Sequence, residues 1–394
     1  MQDGFIKVAA GTPEIRVADC VYNAQACLSL LHQAAAEGVK VLCLPELCLT
    51  GYTCGDLFLQ EALLQGAEDA LRSLLEGSKD LDLLAVVGVP VRYNQKLFNC
   101  AAVFCRGALL GLVPKIHLPN YTEFYEGRWF TSGRELRGTD FCIPFAGQES
   151  VEFSAGLLFR CVNEPLLTIG VEICEDLWVA DPPSTRLAQG GATLLLNLSA
   201  SDETVCKDAY RRTLLEATSG RLVCGYVYAD AGWGESSTDL IYAGHSLIAE
   251  NGTILAERRF ATGLTITEID LQKLAHERQR MTTYPADAPD LYPNYFELER
   301  TETRLTRPIA PNPFVPADHG DRAARCREIL TLAALGLTAA LANLRPAVPD
   351  RRALSGGSGG WVWVCEDDSY YHARKSCGGM RGAQREERSR ARAE

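Results

Sequence analysis

Three residues with charged or reactive side chains stand at the ends of apolar runs, where α/β proteins commonly place their chemistry. They are Glu46, Lys115 and Cys174, and the runs before them span residues 39–44, 108–113 and 166–173. Ligands of α/β sheets bind outside the carboxyl ends of strands, so three such ends can converge on one pocket. A carboxylate, an ammonium group and a thiol in one pocket would suit acid–base and nucleophilic chemistry. Each residue alone is more often a solvated strand end, and only the set favours a catalytic site.

The elements that must position these residues are predicted as strands and helices that alternate from Phe5 to about residue 270. Strands are predicted over residues 5–9, 39–44, 83–91, 99–104, 108–113, 166–173, 193–197, 222–229, 243–249 and 253–257. Helices are predicted before Gly38 and over residues 63–75, 184–189, 207–219 and 323–344. Strands separated by helices indicate the α/β class. The turns Arg106-Gly107 and Asn251-Gly252 predict hairpins, which make the sheets mixed.

The composition excludes several classes of protein. The chain has 394 residues, of which 47% are apolar and 23% charged, as is typical of a globular protein with a large core. Its 50 acidic and 39 basic residues give a net charge of -11, which argues against nucleic acid as a partner. No apolar run approaches a membrane span and the first residues do not resemble a secretory signal, so we expect a cytoplasmic location. The 15 cysteines include no Cys-x-x-Cys pair, which predicts reduced packing thiols and no metal site.

The three segments together resemble the motifs of the nitrilase (carbon–nitrogen hydrolase) superfamily. The similar motifs are Pro45-Glu46, Lys115-Ile-His-Leu-Pro119 and Cys174-Glu-Asp176, in that order along the chain. The resemblance covers residues 4–270 approximately and implies a four-layer α-β-β-α sandwich with mixed sheets. It also implies that the cysteine lies at a sharp elbow between a strand and a helix.

The resemblance assigns each residue a role in the hydrolysis of an amide. Cys174 would be the nucleophile, although a free thiol has a pKa of about 8.5 and is mostly protonated at neutral pH. Glu46 would take the thiol proton as general base and later protonate the departing ammonia. Lys115 would stabilise the oxyanion, and Glu126, which matches the second glutamate of many members, would orient the lysine. No cofactor is expected for this step.

Flanking segments narrow the resemblance to the glutaminase domain of the glutamine-dependent NAD+ synthetase family. These segments lie at residues 49–58, 120–124 and 197–201. In that family a tyrosine after the lysine motif and the serine that ends Asn-x-Ser-Ala-Ser hold glutamine, and they correspond to Tyr121 and Ser201. A basic residue six positions on corresponds to Lys207, and Tyr52 and Glu175 complete the predicted substrate-binding set. The resemblance implies L-glutamine as substrate and a homo-oligomer.

The C-terminal part of the chain departs from the family's pattern. We expect an amidohydrolase domain over residues 1–275 and a linker with a lead-in helix over residues 276–344. The family continues with a synthetase domain, which uses ATP and Mg²⁺ and opens with a Ser-Gly-Gly-x-Asp-Ser loop. Residues 355–360 read Ser-Gly-Gly-Ser-Gly-Gly and lack the Asp-Ser pair, so no ATP site is assigned. Residues 345–394 are expected to be an aberrant tail that is disordered or only locally helical.

Two other hypotheses stay open at this stage. The chain could be a stand-alone amidase that acts on another small amide, although the segment over residues 285–344 has the character of a linker that such an enzyme does not need. It could also be an inactive remnant with a role in assembly, although Glu46, Lys115 and Cys174 are all present. A glutaminase assay with Cys174→Ala as control separates these hypotheses.

Overall fold

The computed structural model describes residues 1–136, 142–236, 240–285, 291–316, 318–344, 361–364 and 371–374. Two compact units divide the chain, Met1–Arg307 and Pro308–Glu394. The strands are β1 (Phe5–Thr12), β2 (Val41–Cys43), β3 (Leu84–Tyr93), β4 (Lys96–Cys105), β5 (Ala108–Pro114), β6 (Cys142–Phe145), β7 (Gln148–Phe153), β8 (Leu157–Cys161), β9 (Thr168–Ile173), β10 (Leu194–Ser199), β11 (Gly225–Asp230), β12 (Ser246–Glu250), β13 (Thr253–Arg258), β14 (Gly263–Asp270), β15 (Tyr292–Phe296), β16 (Trp361–Val364) and β17 (Tyr371–Arg374). The α-helices are α1 (Cys20–Ala36), α2 (Glu61–Gly77), α3 (Pro183–Gln189), α4 (Lys207–Leu222), α5 (Leu271–Arg280) and α6 (His319–Leu344).

Two mixed sheets form the centre of the first unit. Among the described residues, one sheet has eight strands in the order β14-β1-β2-β3-β4-β5-β7-β6, and the other has seven in the order β13-β12-β11-β10-β9-β8-β15. Strands β1, β2 and β3 run parallel, and so do β9, β10 and β11. β2 and β9 are therefore parallel strands, and α/β proteins bind ligands at the carboxyl ends of such strands.

Three apolar clusters show that the sheets and helices form four layers. The first cluster joins α1 and α2 to one face of the eight-stranded sheet, with Leu31 and Leu71 fully buried. The second lies between the two sheets, where Val86 packs among side chains such as Ile169. The third joins α3 and α4 to the outer face of the seven-stranded sheet. Each sheet is therefore apolar on both faces, and the predicted α-β-β-α sandwich with mixed sheets is confirmed.

Both predicted hairpins are present, because their turns depend only on local sequence. Arg106 and Gly107 join β4 to β5 with φ of 49° and 77°. Asn251 and Gly252 join β12 to β13 with φ of 45° and 84°. Positive φ at both central positions is the type I′ geometry, which matches the twist of the flanking strands and favours asparagine and glycine.

The segment after residue 285, whose composition predicts a linker or a wrapping segment, contains a strand. Tyr292–Phe296 forms β15 and pairs parallel with β8 at the edge of the seven-stranded sheet. The remaining residues up to Arg307 lie against the same unit, where Arg307 donates to the buried Glu250 carboxylate at 2.7 Å. Proline and polar residues obscure the strand pattern here, since an edge strand needs few apolar side chains. Strands β6, β7, β8 and β14 were likewise not predicted from the sequence.

The second unit contains the helix that the apolar spacing predicts. This helix, α6, begins at His319 and includes the whole predicted range 323–344. In the predicted disordered tail, the structure describes the antiparallel pair β16 and β17. The other residues of 345–394, including the glycine-rich run, lie outside the described residues. The proposed domain limits at residues 275 and 344 stay predictions.

Candidate active site

The turn after β2 carries Glu46 and is pressed against β3. Glu46 is fully buried, and Leu47 has a φ of 49°. A Cβ atom on Gly88 of β3 would lie 1.9 Å from the Leu47 nitrogen. Glycine is therefore the residue that lets the turn approach β3 closely enough to place the Glu46 carboxylate inside the molecule.

Three groups hold the Glu46 carboxylate. Its Oε1 atom accepts from Asn99 Nδ2 at 2.6 Å and from Lys115 Nζ at 2.6 Å. Its Oε2 atom accepts from the backbone N–H of Ala200 at 3.0 Å. The backbone N–H of Glu46 donates to Ser199 O at 3.3 Å. The carboxylate thus joins the eight-stranded sheet to the end of β10 in the other sheet.

Lys115 lies directly after β5 with its side chain fully buried. Its backbone N–H donates to Asn99 O at 2.8 Å, which continues the pairing of β4 with β5. Its Nζ atom donates to Glu46 and, at 2.6 Å, to Glu126 Oε1. Burial by itself would lower the pKa of the lysine, but the Glu126 and Glu46 carboxylates outweigh this and hold its pKa well above the usual value. The ammonium group therefore stays charged at neutral pH.

Glu126 is the second carboxylate that contacts the Lys115 ammonium. Its Oε1 atom also accepts from the Tyr52 hydroxyl at 2.8 Å. Burial raises the pKa of Glu126 to about 7, Lys115 acts to lower it, and the nearby Glu46 raises it further. Tyr52, predicted to bind substrate, contacts this second glutamate, and its ring lies edge-on to Tyr242 with centroids 6.2 Å apart.

Cys174 forms the elbow between β9 and a 3₁₀ turn that spans Cys174–Leu177. Its φ is 44°, a left-handed conformation that is uncommon for a residue with a side chain and that, outside a tight hairpin turn, needs a constraint from the surroundings. Asn197 of β10 supplies that constraint, because its Oδ1 atom accepts from the Cys174 backbone N–H at 3.1 Å. The sharp strand-to-helix elbow that the motif implies is therefore present.

The charges around Cys174 leave its thiol protonated at rest. Burial raises the pKa of Cys174, Glu46 raises it further, and Lys115 and a hydrogen bond from the Ala200 backbone act to lower it. The net effect is a pKa well above the usual thiol value. The Ala200 N–H also donates to Glu46, so the same backbone group serves both side chains. Such a thiol needs a base, and Glu46 is the carboxylate whose charge acts on it most strongly.

Tyr121 and Glu175 form a pair beside this centre. The half-exposed Tyr121 donates its hydroxyl hydrogen to Glu175 Oε1 at 2.8 Å. Burial raises the pKa of Glu175, and the hydrogen bond from Tyr121 opposes this. Glu175 directly follows Cys174 in the chain, so the pair lies next to the elbow.

Ser201 and Lys207 belong to a neighbouring set of contacts. The Ser201 hydroxyl accepts from the guanidinium of Arg211 at 3.1 Å, and Arg211 is fully buried. Lys207 pairs with Asp202, and its Nζ atom lies 5.5 Å from the centre of the Trp178 ring. Ser201 follows Ala200, whose N–H donates to Glu46, so this set adjoins the buried centre. Among the described residues, Lys207 and Cys174 are not joined by a hydrogen bond.

The sequence analysis assigns no role to four buried polar residues that build this centre, although Asp176 and Asn197 fall within its motifs. They are Asn99, Asp176, Asn197 and Arg211. A signal existed for the two asparagines, since each interrupts an apolar strand, where an uncompensated amide is unfavourable. Arg211 has no such signal, because a single arginine in a helix pattern usually faces solvent.

Neither a metal site nor a membrane-spanning helix is found among the described residues. Among the described residues, no three or more histidine, cysteine or acidic side chains are grouped as a metal site requires. The helices in the described ranges include none with the length and apolar character needed to span a membrane.

Comparison of the sequence with known proteins gives consistent matches. The family model for carbon–nitrogen hydrolases matches residues 7–279. Glutamine-dependent NAD(+) synthetase from Mycobacterium bovis is 39% identical over 352 residues, covering 85% of this chain and 51% of the relative. The enzyme of the same name from Aquifex aeolicus is 29% identical over 264 residues, covering 66% of this chain and 42% of the relative. The chain thus spans about half the length of the Mycobacterium relatives it matches.

Solved structures agree with the sequence comparison. A glutamine-dependent NAD(+) synthetase from Cytophaga hutchinsonii superimposes with a TM-score of 0.59 at 30% identity, covering 67% of this chain and 42% of that chain. An amidase of the nitrilase superfamily from Nesterenkonia has a TM-score of 0.52 at 19% identity, covering 70% of this chain and 96% of that chain. At 19% identity, the match to the amidase shows a similar fold and nothing more.

Proposed function

The chain belongs to the carbon–nitrogen hydrolase family, and from the geometry of its site we propose that it hydrolyses the side-chain amide of L-glutamine to glutamate and ammonia. One observation carries the proposal. The Lys115 ammonium lies 2.6 Å from both Glu46 and Glu126, fully buried, beside a thiol on which all three charges act. The site thus contains a nucleophile, a base and a positive charge, which are the groups that amide hydrolysis requires.

In the first half of the reaction, Cys174 attacks the amide carbon. Glu46 takes the thiol proton as the S–C bond forms and the carbonyl electron pair moves to oxygen. Lys115 stabilises the negative charge on that oxygen. The C–N bond then breaks, the nitrogen takes the proton from Glu46, and ammonia leaves a thioester on Cys174.

Water completes the reaction by releasing glutamate. Glu46 removes a proton from the water as its oxygen attacks the thioester carbon. The S–C bond then breaks, and the sulfur of Cys174 regains its proton from Glu46. Glu126 keeps Lys115 in place in both halves, since it holds the ammonium by a second ion pair beside that with Glu46.

Charges around the elbow support an α-amino acid as the substrate. Glu175, hydrogen-bonded by Tyr121, supplies a carboxylate for the α-ammonium group. Lys207 uses one N–H in its pair with Asp202 and keeps two donors for the α-carboxylate. Ser201 has an O–H to donate, because its oxygen accepts from Arg211. In glutamine, the α-ammonium and α-carboxylate groups are separated from the amide by the length of the side chain.

The relatives support a place for this reaction in NAD+ synthesis. Proteins that are 38–39% identical over 85% of the chain are named glutamine-dependent NAD(+) synthetase. We propose that the ammonia serves to convert deamido-NAD+ to NAD+, with ATP and Mg²⁺ used by a separate synthetase domain, and that the protein acts as a homo-oligomer.

A glutamine-like diazo reagent is expected to label Cys174 selectively. The reagent binds as glutamine does, and this places it at the cysteine that lies beside the proposed base Glu46 and the Lys115 ammonium. Peptide mass spectrometry measures the label at each cysteine, with iodoacetamide as the unselective comparison. Iodoacetamide should favour the exposed Cys142, Cys206 and Cys326. A diazo label that follows the iodoacetamide pattern would refute Cys174 as the nucleophile.

The chain is expected to release ammonia from glutamine and to form no NAD+ from deamido-NAD+, ATP and Mg²⁺. The reason is that residues 355–360 lack the Asp-Ser pair of the synthetase loop. Ammonia and NAD+ are measured in one incubation, and a second incubation replaces glutamine with ammonium chloride to test synthesis by itself. NAD+ in either incubation would contradict the prediction. Faster turnover of another small amide than of glutamine would favour the stand-alone amidase.

A further inference from the structure

Asp176 is a buried carboxylate that the proposed reaction does not use. It lies in the turn after Cys174, and its side chain is 2% exposed. Its Oδ1 atom accepts from the His117 backbone N–H at 2.8 Å and from His117 Nδ1 at 2.9 Å. Its Oδ2 atom accepts from the N–H groups of Ile116 at 3.3 Å and Ile173 at 3.2 Å. Four donors thus share one carboxylate.

These four donors come from the two segments that carry the lysine and the thiol. Ile116 and His117 follow Lys115, at the end of β5 in the eight-stranded sheet. Ile173 precedes Cys174, at the end of β9 in the seven-stranded sheet. No strand pairing joins β5 to β9, because they belong to different sheets. The Asp176 carboxylate is therefore a direct polar link between the backbone next to Lys115 and the backbone next to Cys174.

His117 extends this link toward the surface. An ionised carboxylate only accepts, so Nδ1 of His117 carries the hydrogen and Nε2 is the acceptor. Arg134 donates to Nε2 from 2.5 Å. His117 and Arg134 line a cavity of about 220 Å³. The histidine ring is therefore held in one tautomer and one orientation.

We propose that Asp176 is a positioning residue, which sets the distance between the Lys115 ammonium and the carbonyl oxygen of an amide bound to Cys174. This inference rests on the proposed function. Lys115 stabilises the oxyanion only if its donor lies at hydrogen-bond distance from the place where that oxygen comes to rest. Tyr121, Ser201 and Lys207 are outside the contacts of Asp176, so its loss affects the chemical step more than substrate binding.

Asp176→Asn tests the link with almost no change in size. Whichever way the amide turns, its NH2 group meets two of the four N–H donors, which then lose their acceptor. We expect kcat for glutamine to fall by about 10–100-fold, as for other displacements of about 1 Å at a reacting centre, while KM stays within about threefold. Glu250→Gln is the matched control, since Glu250 is equally buried and holds Lys273 and Arg307 far from the site. The control should lose stability and keep kcat.

A second variant keeps the test decisive if Asp176→Asn fails to fold. His117→Ala removes one donor and leaves the three backbone contacts, so we expect a fall in kcat of about two- to fivefold. Since both residues act through one link, the double variant should be no slower than Asp176→Asn alone. A His117→Ala enzyme with unchanged kcat would overturn the inference, and so would multiplied effects in the double variant. So would an Asp176→Asn enzyme with unchanged kcat, or a loss that lies wholly in KM.

The rate of Cys174 alkylation by iodoacetamide separates failure of this inference from failure of the proposed function. Wild-type protein that hydrolyses no glutamine would refute the proposed function alone. In that case Asp176→Asn should still slow alkylation of Cys174 by about tenfold, because the thiol loses its placement beside Glu46 and Lys115. An unchanged alkylation rate with an unchanged melting temperature would refute the positioning role.

Discussion

Cys174→Ala is expected to lower kcat for glutamine hydrolysis by at least about 10⁴-fold, because removal of the nucleophile in comparable catalytic sets costs on the order of 10⁴–10⁶. The remaining groups can bind and polarise the amide, but no thioester forms. The side chain is small and 5% exposed, so its loss leaves a small cavity and a modest loss of stability. Ammonia release measures the turnover, and calorimetry with glutamine tests whether the binding site survives.

A second buried cysteine provides the control for this variant. Cys224 is fully buried in the cluster between α4 and the outer face of its sheet, and burial raises its pKa to about 12. Cys224→Ala therefore removes a packing thiol and is expected to lower the melting temperature while kcat stays unchanged. Turnover by Cys174→Ala above a thousandth of the wild-type rate would rule out covalent catalysis by this residue.

Glu46→Gln is expected to lower kcat by about 10²–10⁴-fold, which is the typical contribution of a general base. Glutamine keeps the shape of the side chain and can still accept from Lys115, but it cannot take the thiol proton. The high pKa of Cys174, due first to burial, makes this base necessary, because little thiolate forms without it. The residual rate of the variant should rise with pH as hydroxide deprotonates the thiol. The measurement is kcat against pH for both enzymes.

Glu268→Gln is a suitable control for the Glu46 variant. Glu268 is also fully buried and lies 3.6 Å from the Lys7 ammonium, with further hydrogen bonds from Thr306. Its substitution should cost stability and leave the pH dependence of kcat unchanged. A Glu46→Gln enzyme with wild-type turnover, or with the wild-type pH profile at a lower rate, would show that another group is the base.

Much of the fold could be predicted because its signals are local. The hairpin between β12 and β13 depends on Asn251-Gly252, and the helix α4 on apolar spacing after Lys207. The edge strand β15 could not be found in this way. Its pairing with β8 joins residues more than 130 positions apart, and its side chains are mostly exposed, so no pattern in the segment indicates a strand.

The sequence by itself determined which residues are chemically competent and where each lies in its own element. Glu46, Lys115 and Cys174 each follow an apolar strand, and the motifs around them identify their family. The tertiary structure decided how these residues act on one another. Glu46 and Lys115 follow strands β2 and β5, which are separated by two other strands in one sheet, and Cys174 comes from the other sheet. The contacts among the three residues, and the raised pKa values of Lys115 and Cys174, depend on the packing of those sheets and on exclusion of water. Both are properties of distant chain segments brought together, and so they leave no local signal.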